Sequence, residues 1–376
     1  MTASIQLPGR SLPLVVPAPG WASGYPPPVS RRVYAAAHVT AANDAVIDWD
    51  STMRFRRHLW AHGFGVAEAM DTAQRGMGLS WAQARELIAR SAAVPGRGAL
   101  ACGAGTDQLP DGSSYPIPRI VEAYLSQMAF VQSTGADVIL MASRALAASA
   151  RGAGDYLSVY GEVLEQAERP VILHWLGEAF DPALRGYWGA ADFGDAADTV
   201  LSLLDRCGGK VDGIKLSVLD ASREVALRRR LPAGVRMYTG DDLGYLDLIR
   251  GDASGHSDAL LGAFAAITAP AAAALAALDR GDLAGYDAAM APTVPLSRLI
   301  FEEPTYYYKV GVAFLAWLNG FQPRFAMLGG LQRCRPARHL LRVFEVAAAA
   351  RALADPELAV ERMNSLVATF AGPERV

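Results

Sequence analysis

Val211-Asp212-Gly213-Ile214-Lys215-Leu216-Ser217 is the stretch on which the fold turns. Period-two alternation makes it a strand, with Val211, Gly213, Lys215 and Ser217 on one face and Ile214 and Leu216 on the other. In a closed barrel the bulky face packs beneath the helices, so Lys215 is expected to point inside. Outward from this stretch, from residue 32 onward, short β-rich runs alternate with helical patterns, the signature of βα units and a parallel sheet. The predicted strands are Arg32–Val39, Phe64–Met70, Gly98–Gly103, Ala136–Ala142, Pro170–Trp175, Val211–Leu216, Gly234–Thr239 and Asp258–Leu261. Between them lie amphipathic stretches at Trp81–Ser91, Pro118–Thr134, Tyr156–Glu168 and Asp195–Arg206. The fold class is α/β, a (β/α)8 TIM barrel with a C-terminal helical extension, and Lys215 stands on its sixth strand. An open doubly wound sheet is the rival. It lacks the glycine-rich phosphate loop that would follow its first strand.

The organisation expected is a proline-rich N-terminal arm or small hairpin over 1–30, the barrel over 31–280, and C-terminal helices over 281–376 packed on it. That last part is rich in Ala and Leu and broken at Pro292, Pro295, Pro304, Pro323 and Pro336. No repeat longer than the βα unit itself is evident.

The chain has 376 residues, 52% hydrophobic and 19% charged, enough to bury a large core and too apolar for disorder. Its net charge of −3 comes from interspersed acids and bases, with no basic stripe, so no nucleic-acid partner is expected. Cys102, Cys207 and Cys334 are widely spaced and form neither a staple nor a zinc site, which fits a reducing cytoplasm. Prolines interrupt the apolar N-terminal stretches, and no signal peptide is read there. Ala259–Leu278 runs 20 residues without a charge, but Pro270 splits it and alanine dominates. It reads as a buried strand followed by a buried helix, and no membrane partner is expected. Only three of the 35 basic residues are lysines: Lys210, Lys215 and Lys309. A lysine in an apolar strand, where arginine is preferred elsewhere, needs a local reason. An arginine cannot serve as an amine nucleophile.

Barrel active sites lie at the C-terminal strand ends and the loops that follow. A desolvated Lys215 there has a lowered pKa, and its neutral amine can attack a carbonyl; the plain alternative is a lysine paired with an acid. Strand two runs into Glu68-Ala69-Met70-Asp71-Thr72-Ala73-Gln74-Arg75, two acids, a hydroxyl, an amide and a guanidinium that offer proton transfer and oxyanion binding. Asp71 and Thr72 could equally cap the next turn. Strand five ends in His174-Trp175, placing a candidate acid/base at the rim, and His38 ends strand one in the same way. His58 and His62, with Arg54, Arg56 and Arg57, read as a solvated helix face. Tyr238-Thr239-Gly240-Asp241-Asp242 ends strand seven, with acids that either cap the next helix or face the site. The loop containing Gly105, after strand three, offers backbone amides.

In order and spacing these motifs resemble the class I aldolases typified by dihydrodipicolinate synthase and N-acetylneuraminate lyase, and best a "dihydrodipicolinate synthase family" branch of unassigned function. The family's Schiff-base strand, G-[IV]-K-[DE]-[ST], is matched by Gly213-Ile214-Lys215-Leu216-Ser217, and its G-T-T-G-E motif by Asp71-Thr72-Ala73-Gln74-Arg75 with Leu79 beyond. Cys102-Gly103-Ala104-Gly105, Gly135-Ala136-Asp137 and Thr239-Gly240-Asp241-Asp242 are similar to its further motifs, and the resemblance spans roughly residues 32 to 320. Departures accompany it. His174 stands where the family has a proton-relaying tyrosine and Trp175 where it has an asparagine. Ala73 replaces the second threonine, Arg144-Ala145-Leu146 replaces P-Y-Y, and the family arginine, near Ala179, is missing. The resemblance implies imine chemistry with a rebuilt proton relay and carboxylate grip.

The expectation is a lyase, an aldolase, retro-aldolase or dehydratase, acting on a small ketone, keto acid or keto-sugar without cofactor. Lys215, His174, Thr72 and Asp71 are the expected catalytic residues. Arg75, Gln74, Arg144, Trp175, Gly105, Asp241, Tyr238, His38 and Glu68 are expected to bind substrate. A second reading is a divalent-metal lyase or isomerase using His38, Glu68, Asp71 and His174; a third is a non-catalytic metabolite-binding barrel. The resemblance implies a homodimer or homotetramer, and the Ala-rich C-terminal helices with Tyr306, Tyr307, Tyr308, Phe314 and Trp317 offer apolar surface for the contact.

Overall fold

The computed structural model describes residues 2–370; Met1, at the head of the expected arm, and residues 371–376, at the end of the expected helical segment, lie outside the described residues. Strands β1 (Ala3–Ile5) and β2 (Leu14–Val16) form an antiparallel hairpin within the proline-rich segment. Eight further strands follow: β3 (Val33–Ala36), β4 (Gly65–Glu68), β5 (Leu100–Ala104), β6 (Asp137–Leu140), β7 (Val171–Leu176), β8 (Val211–Ser217), β9 (Arg236–Thr239) and β10 (Asp258–Leu261). They pair in parallel and in sequence order, and β10 closes on β3. With helices between them this is a (β/α)8 barrel. Every strand predicted from the sequence is present, shortened by a residue or more at most ends.

Contact density divides the chain into two units. One holds Arg31–Ala37 and Phe64–Gly262 and so contains all eight barrel strands; the other holds residues 2–30, 38–63 and 263–370. In the first, the barrel interior is packed by Tyr34, Ala36, Ala67, Ala101, Ile139, Ile172, Tyr238 and Leu260. Strand β8 contributes no bulk to this layer because its inward residue is Gly213. A Cβ there would lie 2.7 Å from the Tyr238 ring and 2.6 Å from the Arg236 carbonyl, so the glycine is what admits the tyrosine. Tyr238 points its hydroxyl at Asp212 (2.5 Å), at the start of β8, and Asp212 also accepts from Arg32 (2.7 Å). Arg236 closes the same end on Asp258 (2.8 Å). This is the N-terminal floor of the barrel, the face that serves stability.

The surrounding helices start where the sequence supplies caps. Ser80 and Gln83 form a reciprocal capping box for Trp81–Ala92, which buries Ala84, Leu87, Ile88 and Ser91 at helical spacing. Asp192 accepts from Gly194 and Asp195 to begin Phe193–Cys207, which buries Ala196, Ala197, Val200, Leu203 and Leu204.

The other unit is helical apart from its hairpin. Two of the predicted proline breaks mark α-helix starts, where a missing N–H costs least: Pro295 opens Val294–Ile300 and Pro336 precedes Ala337–Ala349, while Pro323 lies in the bend that follows Tyr308–Leu318. The charge-free stretch forms β10, a short turn of helix and Thr268–Asp279, with Pro270 in its first turn. Among the described residues no helix is long and apolar enough to cross a membrane. Two of the aromatics expected at a subunit contact are core residues instead. Tyr308 stacks on Phe301 and Phe314 is fully buried, while Tyr306, Tyr307 and Trp317 stay partly exposed.

Candidate active site

Strands β7 and β8 set His174 directly opposite Lys215 in register. Both side chains are buried within the barrel unit. Burial pushes the Lys215 ammonium below its ordinary pKa; Asp71 and Asp242 pull it part of the way back. His174 Nε2 lies 3.3 Å from Ser217 Oγ, and its Nδ1 is 3.9 Å from Asp71 Oδ2. That second separation is too long for a hydrogen bond, yet close enough to steady an imidazolium when one forms. Burial, with Lys215 beside it, pushes His174 well below the usual imidazole range, so the ring is neutral at pH 7. His174 is therefore a weaker base than a solvated histidine.

Close packing fixes this cluster. A Cβ on Gly240 would lie 2.9 Å from Lys215 Cε and 2.8 Å from the Leu216 carbonyl, and would overlap Ser217 Oγ. Asp71 also opens onto a cavity of about 230 Å³ at the C-terminal ends of β4 to β7, lined by loop residues including Gly105, Thr106, Met141 and Arg144.

A family model described as "Protein of unknown function (DUF993)" matches residues 13–371. The chain belongs to the DUF993 family. No curated protein matches it. Among solved structures, a putative dihydrodipicolinate synthetase from Pseudomonas aeruginosa is 16% identical with a TM-score of 0.66, over 85% of this chain and 99% of that one. YagE of E. coli K12, a prophage protein of the dihydrodipicolinic acid synthase family solved with pyruvate, is 14% identical with a TM-score of 0.68, over 85% and 98%. A dihydrodipicolinate synthase variant described as monomeric is 16% identical with a TM-score of 0.64, over 85% and 97%. At such identities the likeness establishes the fold, and the fold read from the motifs is the one found.

Within the DUF993 barrel, Lys215, His174 and Asp71 converge as expected, and Thr72 is buried in the 3-10 turn Asp71–Ala73, next to Asp71 in sequence. Several predicted binding residues do not join them. Glu68 faces the helix layer, where it accepts from Ser91 (2.6 Å) and from the Ala69 N–H. Trp175, next in sequence to the inward His174, points outward and stacks on Phe193, with ring centroids 5.0 Å apart. Tyr238 belongs to the barrel floor. Asp241 caps the following turn through the N–H groups of Leu243 and Gly244, and it is Asp242 that acts on Lys215. His38 lies in the other unit, with its ring against Phe55 and on Gln322 (3.0 Å); burial and Arg56 lower its pKa to about 3. Gln74 takes a left-handed backbone (φ 68°) and donates to the Met77 carbonyl.

Arg75 is in the right place but fully engaged. It donates through Nε and Nη2 to Asp107, through Nη1 to the carbonyls of Ala69 and Gly103, and through Nη2 to Gln127. All five guanidinium donors are used, so it braces two loops and has none left for an oxyanion. Arg144 lines the cavity and is held by Asp181 (2.6 Å) and Asp111 (2.7 Å). Gly105 donates its N–H to Gln127 (2.7 Å) at the cavity wall. Of the four residues named for a metal, Glu68 turns to Ser91 in the helix layer and His38 belongs to the other unit. Among the described residues no three His, Cys, Asp or Glu side chains are grouped to hold an ion. Ser217 and Asp242 were absent from the expected site. Strand alternation puts Ser217 on the Lys215 face, and Asp242 directly follows Asp241 at the end of the seventh barrel strand, so the sequence carries a signal for both.

Proposed function

We propose that this protein is a Schiff-base-forming lyase acting on a small carbonyl compound. The observation that carries the reading is a buried lysine with a depressed pKa, paired in register with a neutral histidine and faced by two carboxylates. Lys215 Nζ, when neutral, adds to the carbonyl carbon, and the carbinolamine loses water to give an iminium. In aldol cleavage the bond between the α and β carbons then breaks and its electron pair moves into the iminium to give an enamine. In dehydration the enamine forms instead from the electron pair of the α C–H bond, and the pair of the β C–O bond leaves with oxygen. In aldol cleavage the β-hydroxyl gives its proton to His174 as it becomes the carbonyl of the departing fragment. In dehydration a base removes the α-proton and the hydroxyl leaves with a proton returned by His174. Protonation and hydrolysis of the remaining imine regenerate Lys215. Asp71 steadies His174 while it is protonated, and Ser217 orients it through Nε2.

We place this enzyme in the cytoplasm, with its catalytic barrel over 31–280 and helices following, and as a homo-oligomer. The test is borohydride trapping. Substrate plus borohydride should attach the ligand's mass to the Lys215 peptide, and Lys215→Arg should abolish both trapping and turnover, since a guanidinium forms no imine. Turnover retained in Lys215→Arg would refute the mechanism.

A further inference from the structure

The cavity that Asp71 opens onto carries an unusual charge pattern. Its ionisable lining consists of Asp71, Asp107, Asp111 and Asp181 against Arg75 and Arg144. Both cations are already neutralised: Arg75 spends every donor within the protein, and Arg144 is clasped by Asp111 and Asp181 at 2.7 and 2.6 Å. Burial alone would depress Arg144, but its two carboxylate partners hold its pKa above the ordinary guanidinium value. A substrate carboxylate entering here would find no free cation. It would meet four aspartates set against two arginines in a part-buried space, where like-charge juxtaposition is costly. Hydroxyl groups meet the opposite situation. Each ion-paired aspartate keeps acceptor lone pairs, and a hydroxyl can donate to them without disturbing the pair. Leu79, Met141, Leu184 and the indole of Trp81 give the rest of the wall an apolar face suited to C–H surfaces, and about 230 Å³ is room for more than a three-carbon acid.

We infer that the substrate is an uncharged polyhydroxy ketone, a keto-sugar, and not a keto acid. The inference rests on imine formation at Lys215, which does not itself line this cavity and adjoins it through Asp71, and it adds that recognition runs through hydroxyl donors to Asp71, Asp111 and Asp181.

The experiment separates the two ideas. Calorimetric binding is measured with a panel of neutral ketoses and a panel of keto acids of matching carbon number, pyruvate included. Lys215→Arg carries this measurement, because it keeps the charge and forms no covalent adduct. Borohydride trapping on the parent protein uses the same panels. At least one neutral ketose should bind about tenfold or more tighter than any keto acid. Asp181→Asn should narrow that gap about tenfold by loosening the hold on Arg144. Its amide oxygen can still accept from Ala183 N–H, as Asp181 does, so the local turn survives. Asp111→Asn, at an exposed position, should do the same with still less risk to folding. Ketose binding without trapping would sink the imine and leave the substrate class standing. Keto acids that bind as well as ketoses, no binding by any ketose, or an unchanged gap in both asparagine variants would each overturn the substrate class, whatever trapping shows.

Discussion

Gly240→Ala tests the packing that aims the proposed nucleophile. The added methyl would sit 2.8 Å from the Leu216 carbonyl and 2.9 Å from Lys215 Cε, and would overlap Ser217 Oγ. The carbonyl belongs to the β8 backbone and accepts the Gly240 N–H at 2.9 Å, so it cannot retreat without opening the β8–β9 edge. The two side chains must give way. Ser217 can rotate only by leaving His174, and Lys215 must swing its terminal carbons aside. Overpacking of this kind costs about 1–3 kcal/mol of stability. A displacement of about 1 Å at a reacting group costs on the order of 10²-fold in rate. The variant should therefore remain folded, with a urea midpoint lowered to match, while borohydride trapping at Lys215 slows about a hundredfold. Its circular dichroism should be unchanged. Trapping at the parental rate with parental stability would show that the region has slack and that Gly240 does not position the lysine. A large stability loss with trapping intact would place the strain in the backbone instead.

Four further outcomes are expected. His174→Asn should reduce turnover by about 10²-fold or more and leave borohydride trapping at Lys215 possible, because proton transfer and imine formation are different steps; unchanged turnover returns His174 to a structural role. Arg75→Met should lower stability by about 3 kcal/mol in urea unfolding, since it leaves Asp107, Gln127 and two carbonyls without their donor, and a loss below 1 kcal/mol would show that the brace is dispensable. Burial raises Glu224 to about 8, against the hydrogen bonds from Ser257 and Thr239 that lower it, so the folded state binds a proton that the unfolded chain releases near 4.5. Parent stability should then fall as pH climbs from 4.5 to 8 while Glu224→Gln follows a flatter curve, the two meeting at the acid end; parallel curves would contradict the assignment. Light scattering should give a mass of two or four chains, and a single-chain mass at micromolar concentration would end the oligomer proposal.

The barrel was legible because eight short β-rich runs, spaced by amphipathic segments, leave few ways to close a parallel sheet. What the sequence could not show is the division into two units. The helix Trp49–Ala61 follows the first barrel strand in the manner of an ordinary βα unit, yet it clusters with the C-terminal helices. That depends on contacts between segments more than two hundred residues apart, and local periodicity carries no information about them.

The site divides along the same physical line. Lys215 could be aimed from sequence because Gly213 breaks the symmetry of its strand: one face is bulky at Ile214 and Leu216, the other small then polar. Phe64–Met70 has no such contrast. Every residue of β4 is buried and, Glu68 apart, the run is apolar on both faces, so a strand enclosed on both sides loses the alternation that reports direction. Glu68 was accordingly read as a site acid when its phase, one residue from the inward Ala67, turns it to Ser91. The same parity separates His174 from Trp175, and it could have been applied from Ile172, which faces the interior two residues earlier. The arginines failed for a different reason. A guanidinium beside a rim looks like an anion grip until its acceptors are known, and Asp107, Gln127, Asp111 and Asp181 reach Arg75 and Arg144 from two loops and a helix. Residue type and strand position can nominate a charged group. Whether its charge remains available for a ligand is decided by partners distant in sequence, and here those partners pair both arginines of the cavity wall with carboxylates.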